Sequence, residues 1–174
     1  MPQLLFICGL PGSGKSTLGK KIANKLRFKF IDLDNQIQID TGFSPAHWIS
    51  AHSDEIFRKK ESESLRKINF EEDTVVSCGG GTPCFEENFQ WMLQHGTCIY
   101  LDVPEGMVLK RLQQGEAGTR PLIDEADPLS SLRALIEKRK DCYARIPHKI
   151  EPHKVSFSDL MSWIFEILNL DQPK

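Results

Sequence analysis

The chain has 174 residues, enough for one domain with a full-sized core and short for two. Its 22 basic and 24 acidic side chains leave a net charge of −2, so no basic excess argues for nucleic acid or an anionic membrane as a partner. No apolar run approaches the roughly 18 residues of a membrane span. Met1-Pro2-Gln3 leads straight into the first apolar segment without a basic leader, so a cytoplasmic protein lacking a signal peptide is expected. Five cysteines (Cys8, Cys78, Cys84, Cys98, Cys142) form an odd set without CxxC spacing, and the histidines are scattered. Reduced thiols are expected, with neither a disulfide framework nor a zinc site.

The chain reads as an alternating series. Leu4 to Cys8 is a continuous apolar run stopped by glycine, as a buried parallel strand would be. Leu18, Ile22 and Leu26 recur every four residues and predict a helix over Thr17 to Leu26. Phe28 to Leu33 is the second strand candidate, Thr74 to Cys78 the third, Thr97 to Val103 the fourth, and a faint fifth lies within Lys149 to Ser156. Helical patterns cover Asp54 to Phe70, Glu86 to His95, Glu105 to Gln113, Leu129 to Ala144 and Leu160 to Leu168. Such alternation implies one α/β domain with a parallel sheet and right-handed crossovers.

The stretch "GLPGSGKST" at residues 9–17 satisfies G-x-x-x-x-G-K-[ST] between a strand and an amphipathic helix, the context this pattern requires. Glycines let successive backbone N–H groups turn around a phosphate, and the helix beginning near Lys15 adds its positive end. Lys15 would meet the β- and γ-phosphates, and the Ser16 hydroxyl would ligate Mg²⁺. Gly12, Ser13, Gly14, Lys15, Ser16 and Thr17 are the expected contacts to ATP.

The second strand ends in "FIDLDNQI". If the strand runs through it, Asp32 and Asp34 point to the same side, at the sheet edge beside the phosphate loop. Mg²⁺ near Asp32 and a substrate hydroxyl at Asp34 would compensate their repulsion. Capping of a following short helix is the other reading for Asp34, and explains Asp32 less well. Arg58 and Glu61 fall at i, i+3 on one helix face, where the carboxylate could orient the guanidinium; in isolation such a pair is a solvated surface pair. Gly79, Gly80 and Gly81 follow the third strand, where side chains would keep a ligand from the backbone; a tight turn is the alternative.

Taken in order, GLPGSGKST, DLD, FRxxE, GGG, "TRPLI" and "RKDCY" resemble the shikimate kinase family along nearly the whole chain. The resemblance implies a P-loop fold of the nucleoside-monophosphate-kinase type, with a five-stranded parallel sheet in order 2-3-1-4-5. Residues 1–174 would form a single kinase domain, with an acceptor-binding helical segment at about 35–70 and a mobile lid at about 112–125. It implies transfer of the ATP γ-phosphoryl group to the shikimate 3-hydroxyl, in the route to aromatic amino acids, by a monomer. Carried over, the family pattern gives Asp34 the substrate hydroxyls and the part of base, and Arg58 and Arg139 the shikimate carboxylate. Gly79, Gly80 and Gly81 would approach the ring through their backbone, and Arg120 would be the lid arginine that reaches the phosphates. Without the resemblance, Arg120 reads as a loop charge and Arg139 as an exposed helix charge. The chain departs from the family pattern at Leu10-Pro11, in "AHSDEIFR" and at Asp141-Cys142, and the residue that packs on adenine cannot be placed. A gluconate or nucleotide kinase of similar fold, and an ATP-binding module without turnover, are the competing readings.

Overall fold

In the computed structural model, residues 2–68, 71–115, 122–124 and 126–171 are described. In chain order the strands are β1 (Leu4–Cys8), β2 (Lys29–Asp32), β3 (Thr74–Ser77), β4 (Thr97–Leu101) and β5 (His148–Ile150). The helices are α1 (Lys15–Leu26), α2 (Leu33–Thr41), α3 (Pro45–Ala51), α4 (Asp54–Lys67), α5 (Glu86–His95), α6 (Glu105–Gln113), α7 (Pro128–Ala144) and α8 (Phe157–Ile167), with a 3-10 turn at Thr82–Cys84.

The five strands form one parallel sheet in the order β2-β3-β1-β4-β5, as the resemblance implied. Every residue of β1 is buried. Because successive side chains on a strand face opposite sides, both faces of this strand are covered. Leu5 lies in register with Val75 on one side and Thr97 on the other. The chain after β1 therefore emerges where its two neighbours diverge. At this switch point the connections run to opposite sides and leave a crevice beyond the carboxyl ends of the strands. The loop at residues 9–14, the start of α2 and the three glycines after β3 all lie at that edge.

Local signals fix the helices that frame the crevice. Ser53 accepts from Ile56 N at 3.2 Å to start α4, and Asp127 accepts from Ser130 N at 3.2 Å to start α7. α1 begins differently: its N-cap is Gly14 at φ 93°, which brings no side chain to its first-turn N–H groups. Those donors face the loop, available to an anion.

The structure shifts several expected boundaries. β2 stops at Asp32 instead of Leu33, because β3 offers no pairing partner beyond Ser77. β5 is a three-residue strand starting at His148, short enough that its alternation is barely visible in sequence. Residues 33–41 fold as α2, whose Leu33 and Ile37, one turn apart, are both fully buried.

Candidate active site

The phosphate loop is shaped by Gly12 at φ 78° and Gly14 at φ 93°, left-handed conformations that side chains rarely tolerate. Within it, Lys15 Nζ donates to the carbonyls of Gly9 at 3.0 Å and Leu10 at 2.8 Å. Burial lowers the lysine pKa, with the nearby Asp34 carboxylate working in the opposite direction. Ser16 Oγ donates to Asp32 Oδ2 at 2.5 Å and lies 3.2 Å from Ser77 Oγ. Ser13 is buried, and its Oγ has no hydrogen-bond partner among the described residues. Thr17 lies at the exposed start of α1.

The two aspartates do not share a strand. Asp32 ends β2 and is the N-cap of α2: its Oδ1 accepts from Asp34 N at 3.2 Å and Asn35 N at 3.4 Å. The capping role thus falls to Asp32, which sequence reasoning disfavoured, and not to Asp34. At a sheet edge without a further ladder partner, satisfying the orphan N–H groups of a helix wins over extending the strand. Asp34, in the first helical turn, lines a cavity of about 340 Å³ together with Lys15, Arg58, Glu61 and Arg139. The residue as a whole is solvent-exposed, but its carboxyl sits on the cavity side. Loss of water there, and then the Glu61 and Asp32 carboxylates, raise its pKa to about 6, against the pull of Lys15 and Arg58.

Arg58 and Glu61 are not a solvated pair: Glu61 is buried and Arg58 half-buried. Arg58 Nη1 donates to Glu61 Oε2 at 2.9 Å and Nη2 to Asp54 Oδ1 at 3.2 Å. Glu61 is 0 % exposed, and its other oxygen accepts from Thr82 Oγ1 at 2.7 Å. Burial works against the Arg58 charge, but the Glu61 charge and hydrogen bond outweigh it and hold the guanidinium protonated. Arg139 is likewise not an exposed helix charge. It is 5 % exposed, and its Nη1 has no hydrogen-bond partner among the described residues. A buried guanidinium nitrogen left so is costly unless an anion enters the cavity it lines.

The three glycines create the room in which these side chains stand. A Cβ at Gly80 would lie 2.7 Å from Arg139 Nη1, and one at Gly81 2.5 Å from Arg58 Cζ; at Gly79 it would run into Glu61 Oε1. Tyr143, one helical turn after Arg139, donates from its hydroxyl to the Gly80 carbonyl at 2.6 Å and stacks on Tyr100 at 4.7 Å. The loop is thus fixed from α7 as well. Glu61 was legible as the partner of Arg58. Thr82 and Tyr143 were not, since their roles rest on contacts 21 and 63 residues apart in the chain.

A second cleft of about 390 Å³ opens on the other side of the phosphate loop. Ser13, Gly14 and Thr17 line it with Arg111, Pro152 and His153. Arg111 Nη1 donates to the Gly12 carbonyl at 3.2 Å and the Ser13 carbonyl at 3.0 Å, tying α6 to the loop. Sequence gave no sign of this arginine, which sits in an ordinary amphipathic helix. Arg120 and Pro121, with most of the expected lid, lie outside the described residues. Leu122 and Ile123, at the end of that segment, line the acceptor cavity.

The family model described as shikimate kinase matches residues 11–168. Shikimate kinase 2 of Photorhabdus laumondii is 32% identical over 169 residues, covering 97% of both chains. The crystal structure of shikimate kinase from Bacteroides thetaiotaomicron superposes with a TM-score of 0.85 at 28% identity, covering 97% of this chain and 99% of that one. The Acinetobacter baumannii shikimate kinase in complex with shikimate gives 0.85 at 26% identity, covering 97% and 94%. With Arg58 and Arg139 sharing a cavity with Asp34 and Glu61 beside a phosphate loop, on a 2-3-1-4-5 parallel sheet, the chain belongs to the shikimate kinase family.

Proposed function

We propose that this protein transfers the γ-phosphoryl group of ATP to the 3-hydroxyl of shikimate. The observation that carries this reading is the pair Arg58 and Arg139 in the cavity next to Lys15 and Asp34. A guanidinium pair suits a planar carboxylate, and a carboxylate acceptor suits a ring hydroxyl, so the cavity offers complementary walls for a polyhydroxylated carboxylic acid.

In the reaction, Arg58 and Arg139 hold the substrate carboxylate, and Glu61 with Thr82 keeps Arg58 in its orientation. Gly79, Gly80 and Gly81 let the substrate lie close to the backbone while leaving space for the clamp. Asp34 accepts the hydroxyl proton as the oxygen attacks phosphorus in line with the leaving ADP oxygen. Lys15 exchanges its two loop carbonyls for phosphate oxygens, joined by the N–H groups of Gly12 to Thr17, and Arg120 neutralises transferred charge as the 112–125 lid closes. The cleft beside Arg111, Pro152 and His153 takes the nucleobase.

Ser16 and Asp32 fit Mg²⁺: their oxygens already meet at 2.5 Å, and both are hard donors suited to that ion. Bound there, the ion would neutralise phosphate charge. On this reading the protein works as a cytoplasmic monomer on two small molecules, with neither nucleic acid nor membrane as a partner. Among the described residues no helix is long and apolar enough to cross a membrane.

A coupled ADP-release assay across shikimate, quinate, gluconate and nucleoside monophosphates tests the reading. Turnover highest with shikimate is expected. Faster turnover of gluconate or a nucleotide would replace it with the corresponding kinase, and silence with every acceptor despite ATP binding would favour a non-catalytic module.

A further inference from the structure

Beside the acceptor cavity lies a larger one, of about 540 Å³ against about 340 Å³. The two share Arg58, Gly81, Leu122 and Arg139, so both arginines belong to the wall between them. The larger cavity adds Asp54 and Glu55 of α4, Phe85 just before α5, and Ala134, Leu135 and Lys138 of α7, none of which lines the acceptor cavity. Its acids are already neutralised: Asp54 meets Arg58 at 3.2 Å, and Glu55 meets Lys59 at 3.0 Å. Arg58 in turn is held between Asp54 and Glu61. Two cations remain. Lys138 is exposed and has no carboxylate partner among the described residues. Arg139 is 5 % exposed, and its unpartnered Nη1 stands beside Gly80, on the acceptor side. A guanidinium carries five donors in one plane, so a carboxylate in the larger cavity would meet the same charge from the other side. Ala134 and Leu135 lie one turn before Lys138 and Arg139 on α7, which sets an apolar pair next to a cationic pair. Phe85 adds an aromatic ring to the apolar part.

We propose that this second cavity is a binding site for small aromatic carboxylates, the carboxylate meeting Lys138 and Arg139 and the ring lying against Phe85, Ala134 and Leu135. Its volume falls within the range of about 300–1,000 Å³ typical of ligand pockets, and apolar walls with a few convergent polar groups are what such pockets present. An inorganic anion would leave the apolar wall unused, and an uncharged arene would leave both cations bare. The occupant draws on the Arg139 charge that the acceptor carboxylate needs, so it lowers turnover by competing for that guanidinium from the neighbouring cavity. The competition rests on the acceptor reading given above, whereas the site itself rests on the cavity and its unpaired cations.

The test is a calorimetric titration of the full chain with 2-naphthoate, with 2-naphthalenemethanol as the uncharged control. The wild type is expected to bind one naphthoate and to ignore the alcohol. Lys138→Glu should weaken naphthoate binding roughly 10-fold or more, the scale of a lost charge-assisted hydrogen bond. Ala134→Trp, which fills the cavity, should abolish binding. Both positions are exposed on α7 and absent from the acceptor cavity, so both variants should melt near wild type and keep the wild-type shikimate KM. No binding to the wild type would overturn the proposal, as would equal binding of the alcohol. Unchanged naphthoate affinity in both variants would also overturn it, by placing the molecule in the acceptor cavity. Titration with shikimate separates the two readings. Shikimate that binds should raise the apparent naphthoate Kd, and binding without displacement would remove the competition. Shikimate that fails to bind, beside naphthoate binding that the two variants lose, would sink the acceptor reading and uphold the site.

Discussion

A Cβ placed on Gly81 would stand 2.5 Å from Cζ of Arg58, closer than any real contact allows. The glycine is therefore a condition for the arginine's position. Gly81 has φ −102° and ψ −6°, a conformation open to alanine, so Gly81→Ala tests the clash without backbone strain. Arg58 is anchored by Glu61 and Asp54 and cannot yield without losing one of these bonds. Shikimate kcat/KM should fall roughly 10- to 150-fold, the equivalent of about 1.5–3 kcal/mol for a charge-assisted hydrogen bond. The ATP KM should stay near wild type. Steady-state kinetics that show no change with shikimate would mean that Arg58 has no part in acceptor binding.

Arg58→Lys separates charge from geometry. A lysine keeps the positive charge but offers no parallel pair of N–H bonds to a carboxylate. The loss with shikimate should be of the same order, roughly 10- to 150-fold in kcat/KM. A shikimate analogue with a hydroxymethyl group in place of the carboxylate should be a poor wild-type substrate, and the substitution should cost it little more. Equal turnover of analogue and shikimate by the wild type would remove the clamp.

The Asp34 carboxyl, raised to about 6, sets an acid limit on turnover. As the base it must be ionised in the free enzyme, so kcat/KM for shikimate should rise with pH through about 6 and then level. Glu61 is one of the groups that raise this pKa, so Glu61→Gln should move the limb to lower pH while weakening shikimate binding through Arg58. Asp34→Asn should abolish the limb and lower kcat roughly 10²-fold or more, with ATP affinity retained by calorimetry. Loss of ATP binding in that variant would place Asp34 with the metal.

That same shift bears on stability. The folded protein holds the Asp34 proton more tightly than the unfolded chain, so stability falls as pH rises from the ordinary carboxyl range through about 6. Solvent access at the cavity mouth keeps the effect small. Asp34→Asn should therefore leave Tm equal or slightly higher at neutral pH, and a drop of several degrees would show the carboxylate to be structural.

Lys15→Ala should abolish turnover at saturating Mg-ATP. The lysine's described hydrogen bonds go to two loop carbonyls, so the variant should unfold within a few degrees of wild type. Turnover at the wild-type rate would exclude this loop as the phosphate site.

Much of the architecture was present in the sequence because its signals are local. A buried strand followed by glycines and a lysine determines the phosphate loop from the contiguous residues 4–17, and the periodic apolar residues of α5 and α6 fix those helices end to end. The order of motifs also carried the family and the sheet order. What the sequence left undetermined depends on distance. Whether Arg58–Glu61 and Arg139 are solvated or buried is decided by Gly79–Gly81 and Thr82 arriving from another strand, and by Tyr143 holding that loop from α7. The part Asp32 plays depended on where β3 stops pairing, because an unpaired strand end and an uncapped helix start compete for one residue. Burial and charge pairing are properties of the assembled neighbourhood, and the low-dielectric cavity that raises Asp34 exists only once stretches from across the chain, from Pro11 to Arg139, close around it.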